Sequence, residues 1–242
     1  MKPGNTLSPN VIYRDKSVLV VVKPQGMPAQ PDPTGAPYAL TLAAAGGALY
    51  PVHRLDRMTG GVMVFARTRA AAASLSRQLA AHEDGETGKR YLAVVSGMVT
   101  EPFICRDFLI RDARLGIARV VTSAAGGKEA RLSASPLATA SFFGGDVTLL
   151  SVRLETGRFH QIRCQLSAHG HPIVGDGKYG SRVRAPLALF AESLSFCHPD
   201  TGALVTFRAP APTDGAFAPF AEFLAARYKG LAARYKGIDG KS

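Results

Sequence analysis

Pro51-Val52-His53-Arg54-Leu55-Asp56-Arg57-Met58-Thr59-Gly60-Gly61 runs directly into Val62-Met63-Val64-Phe65-Ala66. The first part is polar and turn-forming; the second is an apolar, β-branched run of strand length. Working outward, Val18-Leu19-Val20-Val21-Val22 ends at Lys23-Pro24 and reads as another buried strand. Residues 24–37 are rich in proline and glycine and read as loop. The alanine-rich stretches 38–49 and Arg69–Ala81 predict helices. From Gly88 the pattern turns to strands: Tyr91–Val95, Phe108–Ile110, Ala118–Thr122, 129–139 and 146–155, with Gly126-Gly127-Lys128 as a hairpin-like turn. A short helix is predicted over His160–Ala168, ended by Gly170. Residues 187–197 and 203–208 predict a closing hairpin around Pro199-Asp200-Thr201-Gly202, and Phe217–Tyr228 a terminal helix. Strands in runs, with helices that do not alternate between them, give the α+β class. The expected division is a loose arm over 1–10, one domain over 11–227 with two lobes facing across a cleft, and a basic tail over 228–242.

The chain has 242 residues, with Lys+Arg 29 against Asp+Glu 18 and a net charge of +11 at pH 7. The cations are 20 Arg and 9 Lys, a bias toward planar, bidentate donors that suit phosphate oxygens. Such a surface attracts polyanions, nucleic acid foremost. No apolar run approaches the roughly 18 residues of a membrane helix, and Met1-Lys2-Pro3-Gly4-Asn5 has no signal-peptide core behind it. Cys105, Cys164 and Cys197 are far apart, so neither a disulfide framework nor a Cys-x-x-Cys zinc site is expected; the expected setting is the reducing cytoplasm. Hydrophobic content of 46% with 19% charged residues excludes a disordered basic tail. Leu224–Gly230 recurs as Leu231–Gly237, either a small duplication that extends the last helix or an extra basic, aromatic contact for RNA.

Three polar clusters carry the candidate chemistry. In the first, Asp56 stands between Arg54 and Arg57, and nearby cations favour its ionised form. An ionised carboxylate acts as nucleophile or base, and Thr59-Gly60-Gly61 lets a ligand approach the backbone; a surface ion-pair turn fits the same string. The second is Glu155-Thr156-Gly157-Arg158-Phe159-His160-Gln161-Ile162-Arg163, a strand end leading into a helix N-terminus. Helix N-termini and arginines both bind anions, while His160 and Gln161 also read as caps. The third is His169-Gly170-His171-Pro172-Ile173-Val174-Gly175-Asp176-Gly177-Lys178-Tyr179-Gly180. Its histidines lack a carboxylate at metal-ligand spacing, so no metal is expected, and Lys178 reads as a phosphate contact. Its glycines match neither phosphate-loop nor dinucleotide spacing, and no Gly-x-Ser-x-Gly is present.

Taken in order, these strings resemble the RluA-like RNA pseudouridine synthases. The resemblance rests on Lys23-Pro24-x-Gly26, His53-Arg54-Leu55-Asp56 with Thr59-Gly60-Gly61, Lys89-x-Tyr91, Thr156-Gly157-Arg158-x-His160-Gln161-Ile162-Arg163, and His171-Pro172-Ile173-x-Gly175-Asp176, and spans about residues 11 to 210. It implies a bent, mainly antiparallel mixed sheet with flanking helices and a central cleft. It implies isomerisation of uridine to pseudouridine in structured rRNA or tRNA. It implies Asp56 as the catalytic aspartate, Tyr91 stacked on the target uracil, Arg163 paired with Asp56, and Arg54 in the gap left by the extruded nucleotide. His53, Thr59, Arg158, His160, Gln161 and Lys178 join Arg54 as expected RNA contacts. No redox, metal or nucleotide cofactor is implied, and a monomer is expected. Many relatives carry an N-terminal RNA-binding module, for which a pattern starting near residue 11 leaves no room. Phe159 departs from the small polar residue expected at its position. A non-catalytic RNA-binding or ribosome-assembly factor is the rival reading.

Overall fold

The structure is a computed structural model and describes residues 8–31, 34–43, 47–80 and 87–231. The elements are β1 (Asn10–Arg14), β2 (Val18–Lys23), α1 (Ala39–Ala43), β3 (Tyr50–Pro51), β4 (Gly60–Ala66), α2 (Arg69–Ala80), β5 (Gly88–Ser96), β6 (Phe103–Asp112), β7 (Ile117–Val121), β8 (Lys128–Phe142), β9 (Gly145–Leu154), α3 (Gln161–Ala168), β10 (Leu189–Cys197), β11 (Leu204–Arg208) and α4 (Ala221–Arg227). All the strands join one sheet in the order β1-β2-β4-β10-β5-β9-β8-β6-β7, with β11 on β10 and β3 on β4.

β2 and β4 lie inside the sheet with both faces covered. Val18 to Val21 and Val62 to Ala66 are at most 2% exposed, as continuous apolar runs require. The two halves of the sheet meet where β4 runs parallel to β10, through Phe190↔Gly60 and Ala191↔Gly61; every other pairing is antiparallel. This seam depends on a missing side chain. Gly61 has φ +122, and a Cβ there would lie 2.2 Å from the carbonyl oxygen of Ala191. The Thr59-Gly60-Gly61 string therefore serves strand-to-strand approach, immediately after the turn that holds Asp56. On β10, α2 is held by an amide that mimics backbone: Gln78 donates to the Cys197 carbonyl (2.9 Å) and accepts from the Cys197 N–H (2.7 Å).

Several boundaries differ from the expected ones. β1 begins at Asn10, inside the stretch expected as a loose arm; residues 1–7 of that arm lie outside the described residues. The chain from β7 to β8 does not form a hairpin. β8 pairs with β6 and β9, so β6 separates it from β7. Gly127 makes the crossing possible: a Cβ there would strike Val121 at 2.6 Å and Phe108 at 2.9 Å. The terminal helix starts as a 3-10 segment, Gly215–Phe220, with Pro219 inside it, and becomes α-helical only at Ala221. The basic tail beyond residue 231, with most of the second heptad, lies outside the described residues.

Gly61→Ala is expected to destabilise the protein by about 3 kcal/mol or more, because neither backbone nor neighbour can yield. Gly145→Ala, where an added Cβ meets nothing within 4 Å, should stay within about 0.5 kcal/mol. Urea midpoints of the two variants check this; equal midpoints would remove the seam from its structural role.

Candidate active site

Asp56 sits on the turn between β3 and β4, and that turn is fixed from several sides. Beyond the ladder of β3 on β4, His53 continues the pairing with its side chain, its Nε2 accepting from the Val64 N–H at 3.1 Å. The proton of the neutral ring is therefore on Nδ1, which is buried and has no partner among the described residues. Lys23, fully buried, donates from Nζ to the carbonyls of Pro24 (3.0 Å), Met27 (2.7 Å) and Arg57 (3.2 Å). One ammonium thus ties two loops together; burial lowers its pKa to about 7 against the pull of Asp56. Gln25 Nε2 donates to Met58 and Leu187 carbonyls, both at 2.8 Å. Arg57, expected beside Asp56, instead donates to the Gly26 carbonyl (2.9 Å) and Thr34 Oγ1 (3.2 Å).

The facing wall is α3 and the loop after it. Arg163 is buried and binds Asp176 with two parallel bonds, Nε to Oδ2 at 2.6 Å and Nη2 to Oδ1 at 2.7 Å. Its remaining nitrogen, Nη1, lies 3.0 Å from His160 Nε2 and 3.7 Å from Asp56 Oδ2. The expected partnership of Arg163 with Asp56 is thus present but secondary; Asp176 holds the guanidinium. A guanidinium only donates, so His160 Nε2 accepts and its proton is on Nδ1, directed at Tyr179 Oη 3.0 Å away. Burial, then the charge of Arg163, pushes His160 down to about 3. His53 is likewise pushed to about 3 by burial and by Lys89. Burial raises the Asp56 pKa, while Arg163, Arg54 and Lys23 pull it down; the net direction is upward. The cations beside Asp56 therefore offset its desolvation only in part.

Between these walls lies a cavity of about 480 Å³, within the size range of small-ligand sites. Asp56, Tyr91 and Arg163 all line it, as do His53, Arg54, Lys89, Arg158 and His160. Tyr91 projects from β5; burial and the Asp56 charge both raise its pKa, keeping the phenol protonated. Gln161 and Thr59 line the same cavity but are little exposed and held by the scaffold. Gln161 is 3% exposed; its Oε1 accepts from Thr156 Oγ1 and the Arg158 N–H, and its Nε2 donates to the Arg131 carbonyl and Gln165 Oε1. No part of that amide is left for RNA. Thr59 is 2% exposed, and its N–H closes the turn on the Asp56 carbonyl at 3.0 Å. Lys178 is exposed, bonds the Gly116 carbonyl at 3.3 Å, and lines an adjoining groove that also reaches Asp56 and Arg163. Among the described residues, metal-type side chains gather at Cys105, Asp107 and His169. None of these lines the cavity, the buried Cys105 thiol is pushed up to about 12, and Asp107 is engaged by Gln165 and His169.

The family model for RNA pseudouridylate synthase matches residues 17–168, from β2 to the end of α3. The chain belongs to the RNA pseudouridylate synthase family. Its activity is the isomerisation of uridine in RNA to pseudouridine, and its kin are RluA-like. It is 36% identical over 222 residues to "Uncharacterized RNA pseudouridine synthase YlyB" of Bacillus subtilis (strain 168), covering 86% of this chain and 70% of that one. It is 36% identical over 214 residues to "Dual-specificity RNA pseudouridine synthase RluA" of Haemophilus influenzae, covering 83% and 92%. The solved structure of human RNA pseudouridylate synthase domain containing 1 superposes with a TM-score of 0.72, over 100% of both chains at 23% identity, which shows the shared fold. In this pseudouridine synthase, Asp176, Tyr179 and Lys23 are the site residues not singled out from the sequence. All three stood inside quoted strings, but Asp176 is paired with Arg163 on α3, Tyr179 with His160, and Lys23 with carbonyls of two loops.

Two outcomes follow from the wall of α3. Asp176→Ala leaves a buried guanidinium unmatched and is expected to cost about 3–5 kcal/mol, read from urea midpoints; a loss within about 0.5 kcal/mol would contradict the pairing. His53 and His160 bind protons below about pH 6.5 when unfolded but only near 3 when folded. The unfolded chain then holds more protons, so stability falls as pH drops from about 6.5 toward 3. Imidazole NMR signals of both residues should stay in the neutral form at pH 5.

Proposed function

We propose that Asp56 is the carboxylate that acts on the target nucleotide, at C1′ as nucleophile or as the base that gives a glycal. In the isomerisation the C1′–N1 bond breaks, uracil turns, and C1′ bonds to C5; N1 gains a proton and C5 loses one. The observation that carries the reading is the convergence of Asp56, Tyr91 and Arg163 from three separate elements on one cavity. The aromatic ring of Tyr91 holds the detached uracil by stacking, and closure of the pocket keeps it from escaping. Arg163, itself clamped by Asp176, orients Asp56. The nucleotide must leave its stack, at a cost of a few kcal/mol, and Arg54, exposed at the rim, fills the vacancy. His53, Arg158, His160 and Lys178 face the RNA around it. Affinity comes mainly from phosphate contacts of the basic surface, with strong salt dependence.

The substrate is a structured rRNA or tRNA. Relatives bear the names "Ribosomal large subunit pseudouridine synthase D" and "Dual-specificity RNA pseudouridine synthase RluA", and the net charge suits either RNA. The enzyme works as a cytoplasmic monomer, with the 11–227 unit as its catalytic domain, and its side chains supply the chemistry without a cofactor.

Incubation with total RNA from cells lacking the gene should create new pseudouridine, mapped at nucleotide resolution. Asp56→Asn should lower the rate by about 10⁴-fold or more while RNA binding persists; full activity would overturn the role of Asp56. Binding by the wild type with no modification would instead favour the assembly-factor reading. Because burial raises the Asp56 pKa from its ordinary value, and the ionised form is the active one, single-turnover rates should fall on acidification at a higher pH than an unperturbed aspartate would give.

A further inference from the structure

Phe159 occupies the open position of the Thr156-Gly157-Arg158-x-His160-Gln161 string, and the isomerisation as derived above makes no use of a phenyl ring there. The structure gives that ring two flat neighbours. His160 stacks on it with centroids 3.9 Å apart and planes 19° apart. The guanidinium carbon of Arg111, from β6, lies over the same ring at 4.6 Å. Two groups at these distances cannot share one face, so imidazole, phenyl and guanidinium form three layers. At the inner end, His160 is 3.6 Å from Asp56 Oδ2 and bonds Arg163 and Tyr179. His160 also has φ 50, a conformation that costs a non-glycine residue about 1–2 kcal/mol; the stack and the two bonds hold it there. At the outer end, Arg111 is exposed, lines the same cavity as Asp56, and its side chain shows no ion pair or hydrogen bond among the described residues.

An arginine fixed by a ring and left without a carboxylate is poised for an anion or for a flat π-surface. Everting one nucleotide exposes the face of the base next to it, and RNA-binding proteins cover such faces with aromatic rings or guanidinium planes. The outer layer here is a guanidinium already seated over a ring at 4.6 Å, which a phosphate contact alone would not need. We propose that Arg111, seated on Phe159, is a stacking platform for the base adjacent to the target uridine, and so helps decide which uridines are accepted. This rests on the reading of the cavity as the uridine site.

The test uses RNA segments around the pseudouridines mapped in total RNA, with abasic sugars placed one at a time on either side of the target. With wild-type protein, one abasic neighbour should raise KM by about tenfold. With Arg111→Lys, which keeps the charge and loses the plane, the same abasic change should cost about twofold or less, as it should with Phe159→Leu, which keeps the apolar packing and loses the flat ring. Arg111 is exposed, so its variants read out even if a Phe159 variant fails to fold. Retention of the full penalty by Arg111→Lys, or no penalty at any neighbouring position, would overturn the proposal. RNA that is bound but never isomerised would overturn the catalytic reading instead, and an abasic series along the segment the bound protein protects, read as Kd, then decides on Arg111.

Discussion

The bidentate ion pair of Arg163 with Asp176 governs the site. A buried guanidinium must have its charge matched and its donors used, and Asp176, itself 2% exposed, takes two of them at 2.6 and 2.7 Å. What remains for Asp56 is one nitrogen at 3.7 Å. That distance is chemically useful. A tight bidentate pair would cover the oxygens of Asp56 and hold it as a salt bridge. A clamped but slightly withdrawn cation orients the carboxylate and leaves its oxygens facing the cavity. The same clamp places Nη1 against His160, which keeps that imidazole neutral and bonded to Tyr179. Asp176, Arg163, His160 and Tyr179 thus behave as one rigid wall, opposite the turn that Lys23 and Gln25 immobilise.

The site was legible in the sequence as far as it is local. Asp56 and Arg163 each stand in a dense polar string, whereas Tyr91 was found only through the family resemblance, in Lys89-x-Tyr91. What could not be read was which charged group takes which partner. Asp176 follows α3 by a glycine-rich loop, and Gly175, with φ +83 and a Cβ position 2.3 Å from the Pro186 carbonyl, shows that the loop is folded hard against another segment. Pairing across such a loop is a property of packing: the residue pattern left the partner of Arg163 open, and the resemblance named Asp56, which is present at 3.7 Å, but not Asp176. Gln161 misled for the converse reason. A polar residue at a helix start suggests a ligand contact, but an amide has four hydrogen-bonding positions, and here Thr156, Arg158, Arg131 and Gln165 occupy all of them.

The strands of the sheet were legible where apolar runs are long, as in β2, β4 and β9, and the α+β class followed from their grouping. Pairing order was less so. Gly126-Gly127 marks a reversal, but turn chemistry does not say on which side of β6 the returning strand lands. The first edge strand escaped notice because it is short: Asn10–Arg14 pairs with β2, and of its apolar run Val11-Ile12-Tyr13 only Ile12 and Tyr13 pack against the core. The late start of α4 fits Pro219, whose ring disfavours the α conformation at Ala218 before it.

The junction of β4 with β10 has a temporal meaning. Gly60 and Gly61 emerge in the first third of the chain, while Phe190 and Ala191 are among the later residues to be made. The turn bearing Asp56 can form its local bonds early, yet the half of the molecule that supplies Tyr91 and Arg163 docks on it only after β10 has been synthesised. Long-range closure of this kind slows folding, so the cavity lined by Asp56, Tyr91 and Arg163 is completed only once β10 has been made and paired with β4.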